Sequence, residues 1–125
     1  MNIAFAKDFL TRYAQTASAR DLDAHMAMIS RKVMVHGVPG FDTITYDDWF
    51  QQCAHEFKAG TLVEIGFEGL DMKVETETLI AFETTESIID ADGCESTMQL
   101  EMFVEKEPDG EWRLVQERII AQTIS

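Results

Sequence analysis

The stretch YDDWFQQCAHEFKAGTLVEIGFEGLDMKV, residues 46–74, changes its hydrophobic period once, and that change decides the fold. Before Gly60, Trp49, Cys53 and Phe57 recur at steps of four, the spacing of a single helix face. Thr45 stands where an N-cap belongs, Asp47 and Asp48 suit the positive end of a helix dipole, and Gly60 supplies the stop. After Gly60 the apolar positions alternate. Val63, Ile65 and Phe67 are odd-numbered while Leu70, Met72 and Val74 are even-numbered, so the side chains exchange faces near Gly66 and Gly69, as a β-bulge there requires.

The alternation persists toward the C-terminus. One strand runs through Thr78, Ile80, Phe82 and Thr84 and the next through Met98, Leu100, Met102 and Val104, with Asp92-Gly93 as the turn between them. Pro108-Asp109-Gly110 then leads into a last strand from Trp112 to about Thr123. On the N-terminal side, Ala6, Phe9, Leu10, Tyr13, Ala14 and Ala17 form the stripe of an amphipathic helix. Asp21 caps a short second helix in which Leu22, His25, Met26 and Ile29 share a face, His25 lying at its edge. Val33 to Val38 reads as a short strand closed by Gly37-Val38-Pro39-Gly40. Helix, helix, short strand, helix and four long strands joined as antiparallel hairpins make an α+β chain. Long twisted strands with helices on one side enclose a hollow, where a ligand is first sought.

With 125 residues, 46% hydrophobic and 26% charged, the chain matches one ordinary globular domain spanning 1–125. Its net charge of -13 repels phosphate backbones and anionic lipid heads, which argues against nucleic-acid and membrane partners. Solubility accounts for that acidity more simply than attraction of a cationic substrate. The N-terminal MNIAFAKDFLTRYAQ carries charges where a signal peptide needs an apolar run, so a cytoplasmic location is expected. Cys53 and Cys94 lack metal-ligand or redox spacing and read as packing residues. No metal or nucleotide motif is present, and no cofactor is expected.

The order of elements, with TRYAQTASARDLDAHMAMISRKVMVHGVPG at residues 11–40, resembles the nuclear transport factor 2-like superfamily, in particular its ketosteroid isomerase and SnoaL-like polyketide cyclase branch. Arg12-Tyr13 on the first helix, Asp21-Leu22-Asp23 at the second and the Asp109-Gly110-Glu111-Trp112 hairpin carry the likeness over essentially the whole chain. The resemblance implies a cone-shaped, curved antiparallel sheet wrapped around three N-terminal helices, with a deep apolar pocket. It also implies a homodimer through the outer face of the sheet. Apolar groups of both parities in the strand through Ile80 and Phe82, with Leu79 and Ala81 on its other face, and in the last strand agree with that, since a sheet apolar on both faces needs two covers.

Transferred residue by residue, the isomerase machinery is incomplete. Tyr13 falls on the family's helix-one tyrosine, a hydrogen-bond donor to a developing oxyanion. The general-base aspartate falls on Gly37, and the protonated aspartate of a later strand falls at about Leu100. His36, one residue before the missing base, is the candidate replacement, provided that an irregular strand end at Gly37 and Pro39 turns it inward. Glu117, on the parity of Val115 and Ile119, is the candidate orienting carboxylate. Trp49, Phe82, Met98, Met102 and Val115 are the expected walls of a pocket for a small apolar molecule, although core packing explains the same residues. These residues suit acid-base isomerisation, cyclisation or dehydration. The competing expectation is a non-catalytic homodimerisation or interaction module whose cone is plugged by its own Met and Phe side chains.

Overall fold

In the computed structural model, which describes residues 3–38 and 40–124, helices α1 (Ile3–Ser18), α2 (Leu22–Met26) and α3 (Tyr46–Ala59) lie against strands β1 (Ile29–His36), β2 (Leu62–Glu75), β3 (Leu79–Asp90), β4 (Glu95–Lys106) and β5 (Trp112–Ile124). The helix ends follow the sequence. The Asp21 carboxylate accepts from the Ala24 N–H at 3.2 Å, and the Thr45 N–H and hydroxyl both donate to Asp48. Gly60 ends α3 in the left-handed conformation with φ 70°, where a side chain would be strained.

The strands form one sheet in the order β1-β5-β4-β3-β2. The four long strands pair antiparallel as expected, but β1 pairs parallel with β5, so the sheet is mixed rather than wholly antiparallel. Parallel pairing is accessible to β1 because the whole of α3 and three strands separate it from its partner in sequence. It also begins earlier than the apolar run at Val33 suggests: Leu114 N–H donates to Met28 O, and the Arg113 guanidinium donates to Ala27 O. The register of β2 slips between Glu68 and Asp71 around Gly69, whose φ is 77°, where the parity change places a bulge.

The buried face of α1, formed by Ala6, Phe9, Leu10, Tyr13 and Ala17, packs on the concave side of the sheet. Phe82, Leu100, Met102, Val104 and Leu114 are completely buried and fill the half of the sheet nearer the β4–β5 turn. The other half, nearer the β3–β4 turn, remains hollow and holds the candidate site. Among the described residues no helix is long and apolar enough to cross a membrane.

Candidate functional site

The hollow is a cavity of about 310 Å³ between α1, α2, α3 and the five strands of the sheet. Trp49, Phe57, Ile65, Ile88, Met98 and Ile119 give it apolar walls. Strand alternation sets what else faces inward. On β3 the inward parity runs Ile80, Phe82, Thr84, Glu86, Ile88, and it carries Glu86 into the cavity as surely as it carries Phe82 into the core. On β5 the register slips against β4 between Leu114 and Gln116 and again between Ile119 and Ala121. Leu114, Glu117, Ile119 and Gln122 therefore face inward although their parity changes twice.

Four ionisable side chains of the cavity are nearly sealed from bulk water: His25 is 3% exposed, Tyr13 4%, Glu86 5% and Glu117 8%. Burial pushes the Glu117 carboxyl up to about 7. Burial, followed by the charges of Glu117 and Glu56, raises Glu86 well above the usual carboxylate range. Burial and the neighbouring Glu117 and Glu86 carboxylates raise the Tyr13 phenol, which therefore stays protonated at neutral pH. Both carboxyls are pushed toward the protonated form, so near pH 7 the pair Glu86 and Glu117 favours sharing a proton.

His25 completes the floor. Its ring meets Tyr13 edge-on at 4.6 Å between centroids and lies 5.8 Å from Phe57. Its Nδ1 is 2.9 Å from the Thr16 hydroxyl, which also donates to Tyr13 O at 3.0 Å. Burial pushes His25 down to about 4, so it is neutral at physiological pH. At the rim, Gln52 donates to Glu56 at 2.9 Å. Among the described residues no three His, Cys, Asp or Glu side chains are grouped to hold a metal ion.

Of the residues expected at the site, Tyr13, Glu117, Trp49 and Met98 meet at this cavity. His36 does not. Val35 faces the cavity and His36, the next residue, is carried to the opposite face, where it pairs with Arg118 of β5. The irregular end does not turn it back: Gly37 is pressed so closely on β5 that a Cβ there would stand 2.5 Å from the Ile119 carbonyl oxygen. Pro39 lies outside the described residues. Phe82 and Met102 are fully buried in the packed half of the core and are not cavity walls. Val115 occupies the first β5 bulge, half-buried, and does not line the cavity; its parity with Glu117 is broken by the extra residue.

Glu86, His25, Cys53 and Glu56 were not singled out from the sequence as site residues. Glu86 was the accessible one, being a carboxylate two steps beyond Phe82 on an apolar parity. The position of His25 depends on how α2 docks under α1, which no local pattern encodes.

The SnoaL-like domain family matches residues 6–119. Searched against curated proteins, the sequence finds no match. Among solved structures, a nuclear transport factor 2-like protein from Cytophaga hutchinsonii superposes with a TM-score of 0.76 at 11% identity, covering 97% of this chain and 99% of that one. A ketosteroid isomerase-like protein from Erwinia carotovora atroseptica gives 0.69 at 15% identity, covering 97% and 99%. A protein provisionally named scytalone dehydratase from Novosphingobium aromaticivorans gives 0.71 at 11% identity, covering 96% and 85%. At these identities the likeness is one of fold, which is that of nuclear transport factor 2-like proteins, and the family match covers nearly the whole chain: this protein belongs to the SnoaL-like domain family.

Proposed function

We infer that the chain is an acid-base enzyme that moves a proton on a small, largely apolar molecule held in the cone, the chemistry of isomerisation, cyclisation or dehydration. The observation that carries this reading is that Glu86, Glu117 and Tyr13, all nearly buried, open onto one apolar cavity. Glu117 is the base, because a carboxyl lifted to about 7 is both partly ionised and basic enough to take a carbon-bound proton near neutral pH. Tyr13 and protonated Glu86 are the hydrogen-bond donors for the oxyanion that forms as the proton leaves. Glu117 then returns the proton at a second position, and its carboxylate is regenerated. The roles that the resembling isomerases place at Gly37 and Leu100 are thus supplied from β5 and β3.

The test is exchange of carbon-bound hydrogen for solvent deuterium in a panel of cyclic enolisable ketones, followed by proton NMR. We expect exchange in at least one member, a loss of roughly 100-fold or more in Glu117→Gln, and a comparable loss in Tyr13→Phe. His36→Ala should leave the rate unchanged. Exchange that survives Glu117→Gln overturns the assignment, and absence of exchange across the panel removes enolisation as the reaction. Leu79 and Phe103, half-buried on the outer parity of β3 and β4, support a homodimer through that face, which sedimentation would register as twice the 14.2 kDa chain mass.

A further inference from the structure

We propose that the ligand of the cone is a cation: a small apolar body carrying one protonated amine, which sits between the carboxyls of Glu86 and Glu117. This rests on the reading of the cone as a ligand site and not on turnover: the amine occupies the cone in place of an enolisable substrate, because it ionises the Glu86 carboxyl that the proposed reaction keeps protonated.

Two carboxyls buried to this degree ordinarily face a guanidinium or ammonium group, because an unpaired buried charge is costly. Here none of the described residues lining the cavity is Lys or Arg. The cations of the ion pairs are engaged elsewhere: Arg113 with Glu107 and Asp109, Arg118 with Glu101, Lys32 with Glu105. Neither Glu86 nor Glu117 takes part in an ion pair or a side-chain hydrogen bond among the described residues, yet no sealed polar atom is left unsatisfied. Their oxygens therefore open onto the cavity itself.

The surroundings favour a cation over other ligands. The ionisable groups facing the carboxyls are Tyr13 from α1, His25 from α2, and Cys53 and Glu56 from α3. Tyr13, His25 and Cys53 are neutral near pH 7, and Glu56 adds a third carboxyl at the rim. A ligand that arrives as an anion would meet three carboxyls and, among the described residues, no Lys or Arg; an oxyanion formed in place differs in finding the Tyr13 and Glu86 protons as donors. Trp49, Tyr13 and Phe57 line the cavity and provide apolar contact, and aromatic rings carry a negative π surface that attracts ammonium groups. A net charge of -13 draws cations toward the molecule and repels anions. A cavity of about 310 Å³ lies at the small end of ligand pockets, the size for a phenylalkylamine rather than a polyamine chain or a peptide.

Seating the amine transfers no electrons and breaks no carbon bond. The ammonium group favours the ionised form of both acids, so the proton kept by Glu86, and the fraction kept by Glu117, leave to solvent. Binding must then release protons and tighten as pH rises.

Calorimetry with 2-phenylethylamine, 2-phenylethanol and phenylacetate as probes tests this directly. We expect the amine to bind at least about tenfold tighter than the alcohol, and phenylacetate not to bind. Titration at pH 7 in two buffers of different ionisation enthalpy should show release of roughly one proton per amine bound, and affinity should rise from pH 5.5 to pH 8. In Glu86→Gln combined with Glu117→Gln, the amine and the alcohol should bind alike. Glutamine keeps the shape of each side chain, and the proton release in the unaltered protein is a readout that does not depend on the variant folding. Equal or tighter binding of the alcohol, absence of proton release, or failure of the amine to bind at millimolar concentration overturns the proposal. Amine binding without deuterium exchange in any ketone would remove the proposed chemistry and leave this inference standing; exchange without amine binding would do the reverse.

Discussion

Glu86 on β3 and Glu117 on β5 open onto the same cavity although β4 separates their strands, so the sheet brings together two acids that lie 31 positions apart in the chain. Each costs the fold something when ionised. Glu117 loses its proton near 4.5 when unfolded and at about 7 when folded. Between those values the native state binds more protons than the unfolded state, so stability falls as pH rises through the window. Below pH 4.5 Glu117 carries no such penalty; above pH 7 the penalty is complete, at most on the order of 3 kcal/mol.

Glu117→Gln should therefore be more stable than the unaltered protein at pH 8, by up to about 3 kcal/mol, and no more stable at pH 4. Urea denaturation at pH 4, 6 and 8 measures this. A constant offset between the two proteins at all three pH values would show that burial of the charge is not the cause.

His25 acts in the opposite direction. It is neutral and buried when folded, with a pKa of about 4, against 6.5 when unfolded. Its contribution is complete above pH 6.5 and is lost as pH falls toward 4, by up to about 3 kcal/mol. His25→Gln removes this dependence. Its stability curve between pH 4 and 6.5 should lack the acid-side decline seen in the unaltered protein, while the Thr16 contact is weakened at every pH. A decline of the same slope in both proteins would place the acid sensitivity elsewhere.

The two thiols should behave differently. Burial, with Glu56 nearby, pushes Cys53 up to about 12, whereas Cys94 is exposed beside the β3–β4 turn. Because the thiolate is the nucleophile, a thiol-reactive disulfide reagent at pH 8 should modify Cys94 rapidly and Cys53 only after denaturation. Two fast thiols in the native protein would mean that α3 opens far more readily than its packing implies.

What the sequence made legible was local periodicity, and what it withheld was register. Trp49, Cys53 and Phe57 announced a helix face and Gly60 its end, because helix spacing and left-handed backbone are properties of neighbouring residues. The parity change near Gly69 announced a bulge for the same reason. The bulges of β5 carry no glycine and no visible break, so Val115 reads as inward until β4 fixes the pairing. Tyr13 and Glu117 were legible as candidate site residues, and Glu86 is equally legible by its parity with Phe82. His36 failed on the simplest rule of a strand, that adjacent residues face opposite ways.

Gly37 gives the last prediction, because it bears on where a base can stand in this cone. Its φ of 89° is a conformation that side chains rarely adopt, and a Cβ would sit 2.5 Å from the Ile119 carbonyl oxygen of β5. Gly40, with φ 87°, has the same backbone but nothing within 4 Å of its would-be Cβ. Gly40→Ala should therefore cost only the backbone strain, about 1 kcal/mol. Gly37→Ala adds a collision with main chain that cannot rotate away and should cost about 3 kcal/mol or more. Paired thermal melts of the two variants separate strain from collision, and equal losses would mean that β5 yields to the added atom. If it does not yield, Gly37→Asp cannot restore the aspartate of the resembling isomerases, and Glu117 keeps the position from which a base can act.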